Sequence, residues 1–157
     1  MQNGLRPLKL PADYLSRKGY RLPTEAEWVY ACRAETVTAR FYGGGSEDLL
    51  AVYAWYNKNA EDRAWPVGQK RPNDFGLFDT HGNTWDWCQE SGRPYEVGPE
   101  GYAEDKEDKR DITDKLGRVL RGGSFYDRAS VVRSAYRGNL RPSVRDVNVG
   151  LRVARTL

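Results

Sequence analysis

The sequence has little of the residue types on which metal and nucleophilic chemistry most often depends. Its 157 residues include two cysteines, Cys32 and Cys88, and one histidine, His81. Two cysteines this far apart in the chain form neither a disulfide framework nor a cluster of metal ligands. A single histidine excludes sites built from several histidines, and leaves Ser-His chemistry to His81 alone.

Long apolar runs and a large net charge are also missing. No apolar stretch approaches the length that spans a bilayer, and the first ten residues, MQNGLRPLKL, are polar and basic, unlike a signal peptide. The net charge is +3, without the clustered basic stripe that usually marks nucleic-acid binding. We therefore expect no membrane insertion and no nucleic-acid partner. The two cysteines, which look unpaired, favour a reducing, cytoplasmic location.

What the chain does have is enough apolar and aromatic side chain for one folded domain. Hydrophobic residues make up 39% of the sequence and aromatic residues 12%, which argues against disorder. The length is typical of one domain. We expect residues 1–157 to form a single domain.

The clearest helix signal begins at Thr24. Glu27 follows three residues later, which is the spacing of a capping box. Trp28 and Cys32 then fall on one face of the predicted helix.

A second, shorter helix is predicted from Pro11 to about Lys18. Proline suits the first helical position, and Gly19 suits the left-handed stop that ends a helix. Residues 49–56, in contrast, are apolar and aromatic without a decisive period.

Two strands and one long polar loop are predicted in the second half of the chain. The strands cover 118–121 and 149–153. Residues 91–117 are polar, and their most charged part, 104–111, predicts a solvated loop. A docking arm is the alternative interpretation of the same charges.

Seven short segments follow one another in a characteristic order: YRLPTEAEW (20–28), PVG (66–68), NDFGLFD (73–79), GNTWDW (82–87), RVLRGGS (118–124), RSA (133–135) and GLRV (150–153). Together they resemble the formylglycine-generating enzyme (sulfatase-modifying factor) domain family. The resemblance covers roughly residues 20–155. It implies an α+β, C-type-lectin-like fold with two helices, short antiparallel strands and much irregular loop. It also implies that the family's N-terminal part is reduced or missing.

Enzymes of that family oxidise a substrate cysteine to formylglycine, and the resemblance implies two copper(I)-binding cysteines after the Gly-Gly-Ser element. The matching positions here are Asp127 and Val132, and residues 124–157 contain neither cysteine nor histidine. Copper(I) prefers soft thiolates, so we expect no copper and no enzyme activity of this type. Cys32 and Cys88 are interpreted as small core hydrophobes.

Another branch of the family forms sulfur–carbon bonds on histidine betaines. Its members carry a second, helical domain with an iron-binding set of histidines, which one histidine in 157 residues excludes. His81 is interpreted as a loop residue rather than a catalytic group.

A possible calcium loop runs from Asp79 to Asp86. Calcium takes six to eight oxygens from carboxylates and carbonyls, and a loop folded at Gly82 could offer the Asp79 and Asp86 side chains with the Gly82 and Thr84 carbonyls. The resemblance implies a structural calcium site at the same four positions, although many relatives have Glu where Asp86 stands. The alternative is that both aspartates cap the turn through backbone N–H groups.

The composition of residues 125–157 is unusual. The segment has no Lys, Glu, Gln, Met or Trp, whereas 26 of the other 124 residues belong to these types. Diversity-generating retroelements rewrite adenines, often in AAC codons, and such rewriting cannot produce those five residue types. The segment also resembles the variable regions of retroelement-diversified proteins with a lectin fold. An Arg-rich end of an ordinary inactive relative is the alternative.

The leading hypothesis is a non-catalytic lectin-fold display domain, a retroelement variable protein that binds a protein surface through residues 125–148. The alternatives are a formylglycine-generating oxidase and an inactive sensor or accessory domain of a larger protein. The ligand's identity and the oligomeric state stay open. The candidate ligand-binding residues are Tyr126, Asp127, Arg128, Ser130, Val131, Tyr136, Gly138, Asn139, Leu140, Ser143, Val144, Asp146, Val147 and Asn148.

Overall fold

Over the residues that the structure describes, the fold is an α+β arrangement of two short helices and two small sheets joined by long loops. A computed structural model describes residues 8–40, 42–43, 46–101, 108 and 110–157. The elements, in chain order, are β1 (Gly19–Arg21), α1 (Glu25–Arg33), α2 (Leu50–Tyr53), β2 (Trp85–Ser91), β3 (Arg118–Arg121), β4 (Gly138–Leu140), β5 (Val149–Gly150) and β6 (Ala154–Thr156). No helix in this part of the chain is long and apolar enough to cross a membrane.

Helix α1 begins as its capping box predicts. The backbone N–H of Glu27 donates to Thr24 Oγ1 at 3.1 Å, and the Thr24 N–H donates to the Glu27 carboxylate at 2.8 Å. Arg21 holds the same carboxylate with two hydrogen bonds of 2.6 Å. The helix ends at Arg33, and the next residue, Ala34, caps it with a left-handed φ of 46° and an N–H that donates to the Tyr30 carbonyl. The predicted helix is confirmed.

The helix predicted from Pro11 to about Lys18 is wrong, because these residues form only turns. The Tyr14 N–H donates to Pro11, and the Arg17 N–H donates to Asp13. None of residues 11–18 is buried, so no packed face offsets the cost of starting a short helix. The second helix is α2 instead, in the apolar stretch 49–56.

The larger sheet has the strand order β4-β3-β2-β5. β2 and β3 pair antiparallel, as do β3 and β4, whereas β2 and β5 pair parallel through Trp85↔Val149. The strand predicted at 118–121 is confirmed as β3. The strand predicted at 149–153 is correct only for its first two residues, because the chain then leaves the sheet. β6 pairs antiparallel with β1 in a separate two-stranded sheet.

Two apolar clusters form the core. Trp28 and Cys32 of α1 pack with Cys88 of β2 and Val119 of β3. The second cluster consists of Leu50, Ala54, Tyr56 and Val132. Both cysteines are free and at most 1% exposed, which confirms their interpretation as core residues.

Two polar residues are more deeply buried than the sequence indicates. Within the charged stretch 104–111, residues 104–107 and 109 lie outside the described residues, but Asp108 is only 5% exposed. Its carboxylate accepts from the Ser91 N–H at 2.7 Å and from Arg110 Nε at 2.6 Å. A fully solvated loop is therefore wrong at Asp108. His81 lies outside helices and strands, as predicted, but is 1% exposed, and burial lowers its pKa to about 4.

Candidate functional site

The candidate binding segment, residues 125–148, follows β3 after a three-residue turn, Gly122 to Ser124. The chain turns there through two glycines with left-handed φ values, and a Cβ on Gly123 would lie 3.1 Å from Val132 Cγ2. The segment then forms turns, adds β4 to one edge of the sheet and crosses to β5 at the opposite edge. Its residues are therefore spread across the width of the four-stranded sheet.

None of the fourteen candidate ligand-binding residues is buried. In contrast, Phe125, just before the first candidate, and Val132 and Ser134, between candidates in sequence, are at most 2% exposed. The exposed candidates are Tyr126, Arg128, Ser130, Tyr136, Asn139, Ser143, Val144, Asp146 and Val147, and the half-buried ones are Asp127, Val131, Gly138, Leu140 and Asn148.

Three of the candidates also make contacts that hold the fold. Asp127 caps the turn after β3, where its Oδ2 accepts from the Ser124 N–H at 2.8 Å and from Ser124 Oγ at 2.6 Å. Gly138 packs so closely that a Cβ there would lie 3.2 Å from the Trp85 ring. The Asn139 side chain fills the space beside Gly92. Substitution at these positions would disturb the fold as well as the surface.

A cavity of about 350 Å³ lies beside the first part of the segment. Its walls are formed partly by the segment, through Arg128, Ala129 and Ser130, and partly by Glu47, Asn57 and Lys58. Lys58 Nζ and Glu47 Oε1 form an exposed ion pair of 2.6 Å. The sequence contains no signal that joins 47–58 to 128–130, because their proximity arises only from the tertiary fold.

In the possible calcium loop, one carboxylate oxygen of Asp79 accepts a hydrogen bond and, within the described part of the chain, the other does not. Oδ2 accepts from the Gly68 N–H at 2.8 Å, whereas Oδ1 is buried without a hydrogen-bond partner among the described residues. The residue has a left-handed φ of 54°. The turn at Gly82 is tight, since a Cβ there would lie 2.1 Å from the Trp55 carbonyl oxygen. Thr84 packs its side chain against Gly150.

Asp86, the other carboxylate of this loop, faces the protein interior. Its Oδ2 accepts from Trp28 Nε1 at 2.9 Å and from Arg152 Nε at 3.1 Å. Burial raises the pKa of Asp86, while Arg152 and Trp28 oppose that shift. The unpartnered Oδ1 of Asp79 could accept a cation, whereas Oδ2 of Asp86 is already engaged by Trp28 and Arg152. Calcium at these four residues stays a prediction.

Comparison with known proteins agrees with this architecture. Residues 10–157 match the model of the sulfatase-modifying factor enzyme 1-like domain. The chain belongs to this family. The formylglycine-generating enzyme of Streptomyces coelicolor is 34% identical over 158 residues, which cover 90% of this chain and 48% of that protein. The chain thus spans about half the length of such relatives.

Similar solved structures share this fold. Variable protein 1 of Treponema denticola superposes with a TM-score of 0.75 at 34% identity, over 96% of this chain and 55% of that one. PvdO from Pseudomonas aeruginosa superposes with a TM-score of 0.73 at 29% identity, over 93% of this chain and 57% of that one. The predicted family and the α+β, C-type-lectin-like fold are confirmed.

Asp127 and Val132, which the sequence resemblance places where copper-binding cysteines are expected, both have structural roles here. Asp127 is the turn cap described above, and Val132 is fully buried in the second apolar cluster. The real thiols, Cys32 and Cys88, lie in the other cluster, and burial raises the pKa of both, to about 12 for Cys32. Protonated, buried thiols are poor metal ligands and nucleophiles.

Proposed function

We propose that this domain binds a protein ligand without catalysis, through the exposed residues of the segment 125–148. The observation that carries the proposal is the division of the segment into buried and accessible positions. Its core-facing residues, such as Val132 and Ser134, are 0% exposed, whereas every candidate contact residue is accessible. A rigid scaffold that presents an accessible loop is a common way to build a binding site.

The accessible side chains suit a protein surface. Tyr126, Arg128 and Tyr136 are exposed, and tyrosine and arginine supply large contact areas and hydrogen-bond donors in protein interfaces. Serine and asparagine add adaptable polar contacts, as in antibody loops. Ser130 also lines the cavity of about 350 Å³, which a side chain of the ligand could enter.

We further propose that the segment is diversified by a retroelement. Two observations support this: residues 125–157 lack the five residue types that adenine rewriting of AAC codons cannot produce, and the chain resembles variable protein 1 of Treponema denticola in sequence and structure. Such a system would change side chains while the lectin-like scaffold stays constant.

Sequencing of the gene and its neighbourhood in many isolates tests diversification. We expect a reverse transcriptase gene and a near-copy of the 3′ end, with adenines at the codons that vary. We also expect substitutions to concentrate at exposed positions of 126–148 and to spare Val132 and Ser134. Absence of the reverse transcriptase and the near-copy would refute diversification but not ligand binding.

The second candidate function is formylglycine formation, which the 34% identity to the Streptomyces coelicolor enzyme favours. Asp127 and Val132, at the positions of the copper-binding cysteines, argue against it. The test is incubation of the domain with copper(I), oxygen and a cysteine-containing substrate peptide, followed by mass spectrometry. The Streptomyces enzyme is the positive control. We expect no formylglycine from the domain, and its formation would overturn the non-catalytic proposal.

A further inference from the structure

Two buried arginines outside the binding segment hold its main chain. Arg40 is 4% exposed, and its Nε donates to the Val132 carbonyl at 3.1 Å while Nη2 donates to the Ala129 carbonyl at 2.5 Å. Its Nη1 reaches the Ser46 carbonyl at 3.4 Å. One guanidinium thus binds two carbonyls of the segment and one of a neighbouring loop.

Arg121 of β3 donates hydrogen bonds to the main chain of the next part of the segment. It is 3% exposed, and its Nη1 donates to the Tyr136 carbonyl at 2.9 Å and to the Ser134 carbonyl at 3.3 Å. Its other amino group is ion-paired with Glu25 and donates to the Tyr95 hydroxyl. The carboxylate orients the guanidinium, so that the bonds to the segment are directed from a fixed position.

We propose that Arg40 and Arg121 are positioning residues, which set the conformation of residues 129–136 through main-chain carbonyls and leave the exposed side chains free to vary. This proposal rests on the proposed binding function of the segment and says how the scaffold serves it. Four carbonyls over eight residues accept from these two side chains.

The chemistry of these bonds explains why such an arrangement tolerates sequence change. A carbonyl oxygen is the same acceptor whatever side chain its residue carries. The planar guanidinium presents several donors in a rigid fork, and bonds from a charged donor are stronger than neutral ones. The Ser134 side chain and N–H add two bonds to the Ala39 carbonyl, each of 3.0 Å. The segment is therefore anchored through its main chain.

The first test replaces each arginine by lysine, which keeps the positive charge but lacks the planar, forked set of N–H donors. Amide hydrogen exchange of the full chain is measured for Arg40→Lys and Arg121→Lys. We expect protection of the Val131, Ser134 and Tyr136 amides to fall at least about tenfold, with the β2 amides less affected. Unchanged protection at all three amides, or an equal loss in β2, would overturn the proposal.

Arg118→Lys is the matched control. Arg118 also lies in β3, is 3% exposed, and donates to the carbonyls of Gln89 and Asp111, outside the binding segment. A purely structural role for any buried arginine would give the same pattern in all three variants. We expect Arg118→Lys to lower the protection of the β2 amides more than that of the amides in 129–136. If it lowered protection in 129–136 as much as Arg40→Lys does, the positioning role would be contradicted.

A second test uses a variant that keeps both arginines, so its result does not depend on whether the lysine variants fold. It carries Tyr126→Ser, Arg128→Ser, Ser130→Ala and Val131→Ser together. We expect the Ser134 and Tyr136 amides to keep their protection within about threefold, because their surroundings are set from outside. Loss of that protection would show that the segment's own side chains determine its conformation. Ligand binding is not measured in either test, so failure of the binding proposal remains a separate result.

Discussion

Glu25 and Arg121 form an ion pair in which each side chain is only 3% exposed. Glu25 is the first residue of α1 and Arg121 the last of β3, so the pair joins the helix to the sheet. Arg137 adds two hydrogen bonds to the same carboxylate, at 2.8 and 3.0 Å. Burial alone would raise the pKa of Glu25, but these two arginines hold it below its usual value.

Removal of this carboxylate should be strongly destabilising. In Glu25→Gln the guanidinium of Arg121 stays buried without its counter-charge, which typically costs about 3–5 kcal/mol. Urea denaturation measures the loss. Glu61→Gln is the control, because Glu61 forms an exposed pair with Arg63 and surface pairs contribute at most about 1 kcal/mol. Equal effects of the two substitutions would contradict a structural role for the buried pair.

Stability should fall at acidic pH in a way that depends on Asp108. Burial alone would raise the pKa of this carboxyl, but hydrogen bonds from Arg110 and the Ser91 N–H hold it well below the usual value. A depressed folded-state pKa stabilises the protein above the unfolded value of about 3.9, and this contribution is lost as the pH falls below it. Asp108→Asn should therefore flatten the decline of unfolding free energy below about pH 4. The exposed Asp74→Asn is the control and should leave the decline unchanged.

Two valines of the binding segment should respond differently to truncation. Val132 is 0% exposed and packs with Leu50 and Tyr56, whereas Val147 is 73% exposed. Val132→Ala leaves a cavity and should cost on the order of 2 kcal/mol, while Val147→Ala should change stability by less than about 0.5 kcal/mol. Thermal or urea unfolding compares them. A large effect at Val147 would show that it belongs to the framework rather than to the accessible surface.

Calcium should raise the melting temperature if it binds beside the free oxygen of Asp79. A ligand that binds only the folded state stabilises it by about 2.7 kcal/mol at a hundred times its dissociation constant. Melting is measured in calcium and in chelator for the wild type and Asp79→Asn, with Asp74→Asn as control. We expect a shift in the wild type and the control that Asp79→Asn abolishes. Equal melting temperatures in calcium and in chelator would contradict calcium binding at this loop.

Much of the fold could be predicted because several of its elements are encoded locally. The capping box of Thr24 and Glu27 operates within one helical turn, and the Val-Leu pair in the stretch 118–121 favours a strand. Residues 11–18 carry the start and stop signals of a helix but have no buried face and form no helix. Local signals alone are therefore insufficient there. The split of 149–153 between a strand and a connecting stretch depends on β6 pairing with β1 rather than on its own residues.

The unusual composition of 125–157 marks a candidate site in the sequence, and ligand binding there stays a prediction. Which of its residues are buried is decided by tertiary packing, as at Val132, which packs against Leu50 and Tyr56. Glu47, Asn57 and Lys58 were missed as neighbours of this stretch, since they come from a distant part of the chain.

The sequence by itself determined the family, the α+β fold, the core position of the two cysteines and the absence of thiols after Ser124. These properties depend on residue identity and on short-range spacing. Only the tertiary structure decided that Asp108 is buried, that Asp86 pairs with Arg152, and that Arg40 and Arg121 donate to main-chain carbonyls of residues 129–136. Such contacts join residues separated by many positions, and their partners are defined only once helix, sheets and loops have packed together.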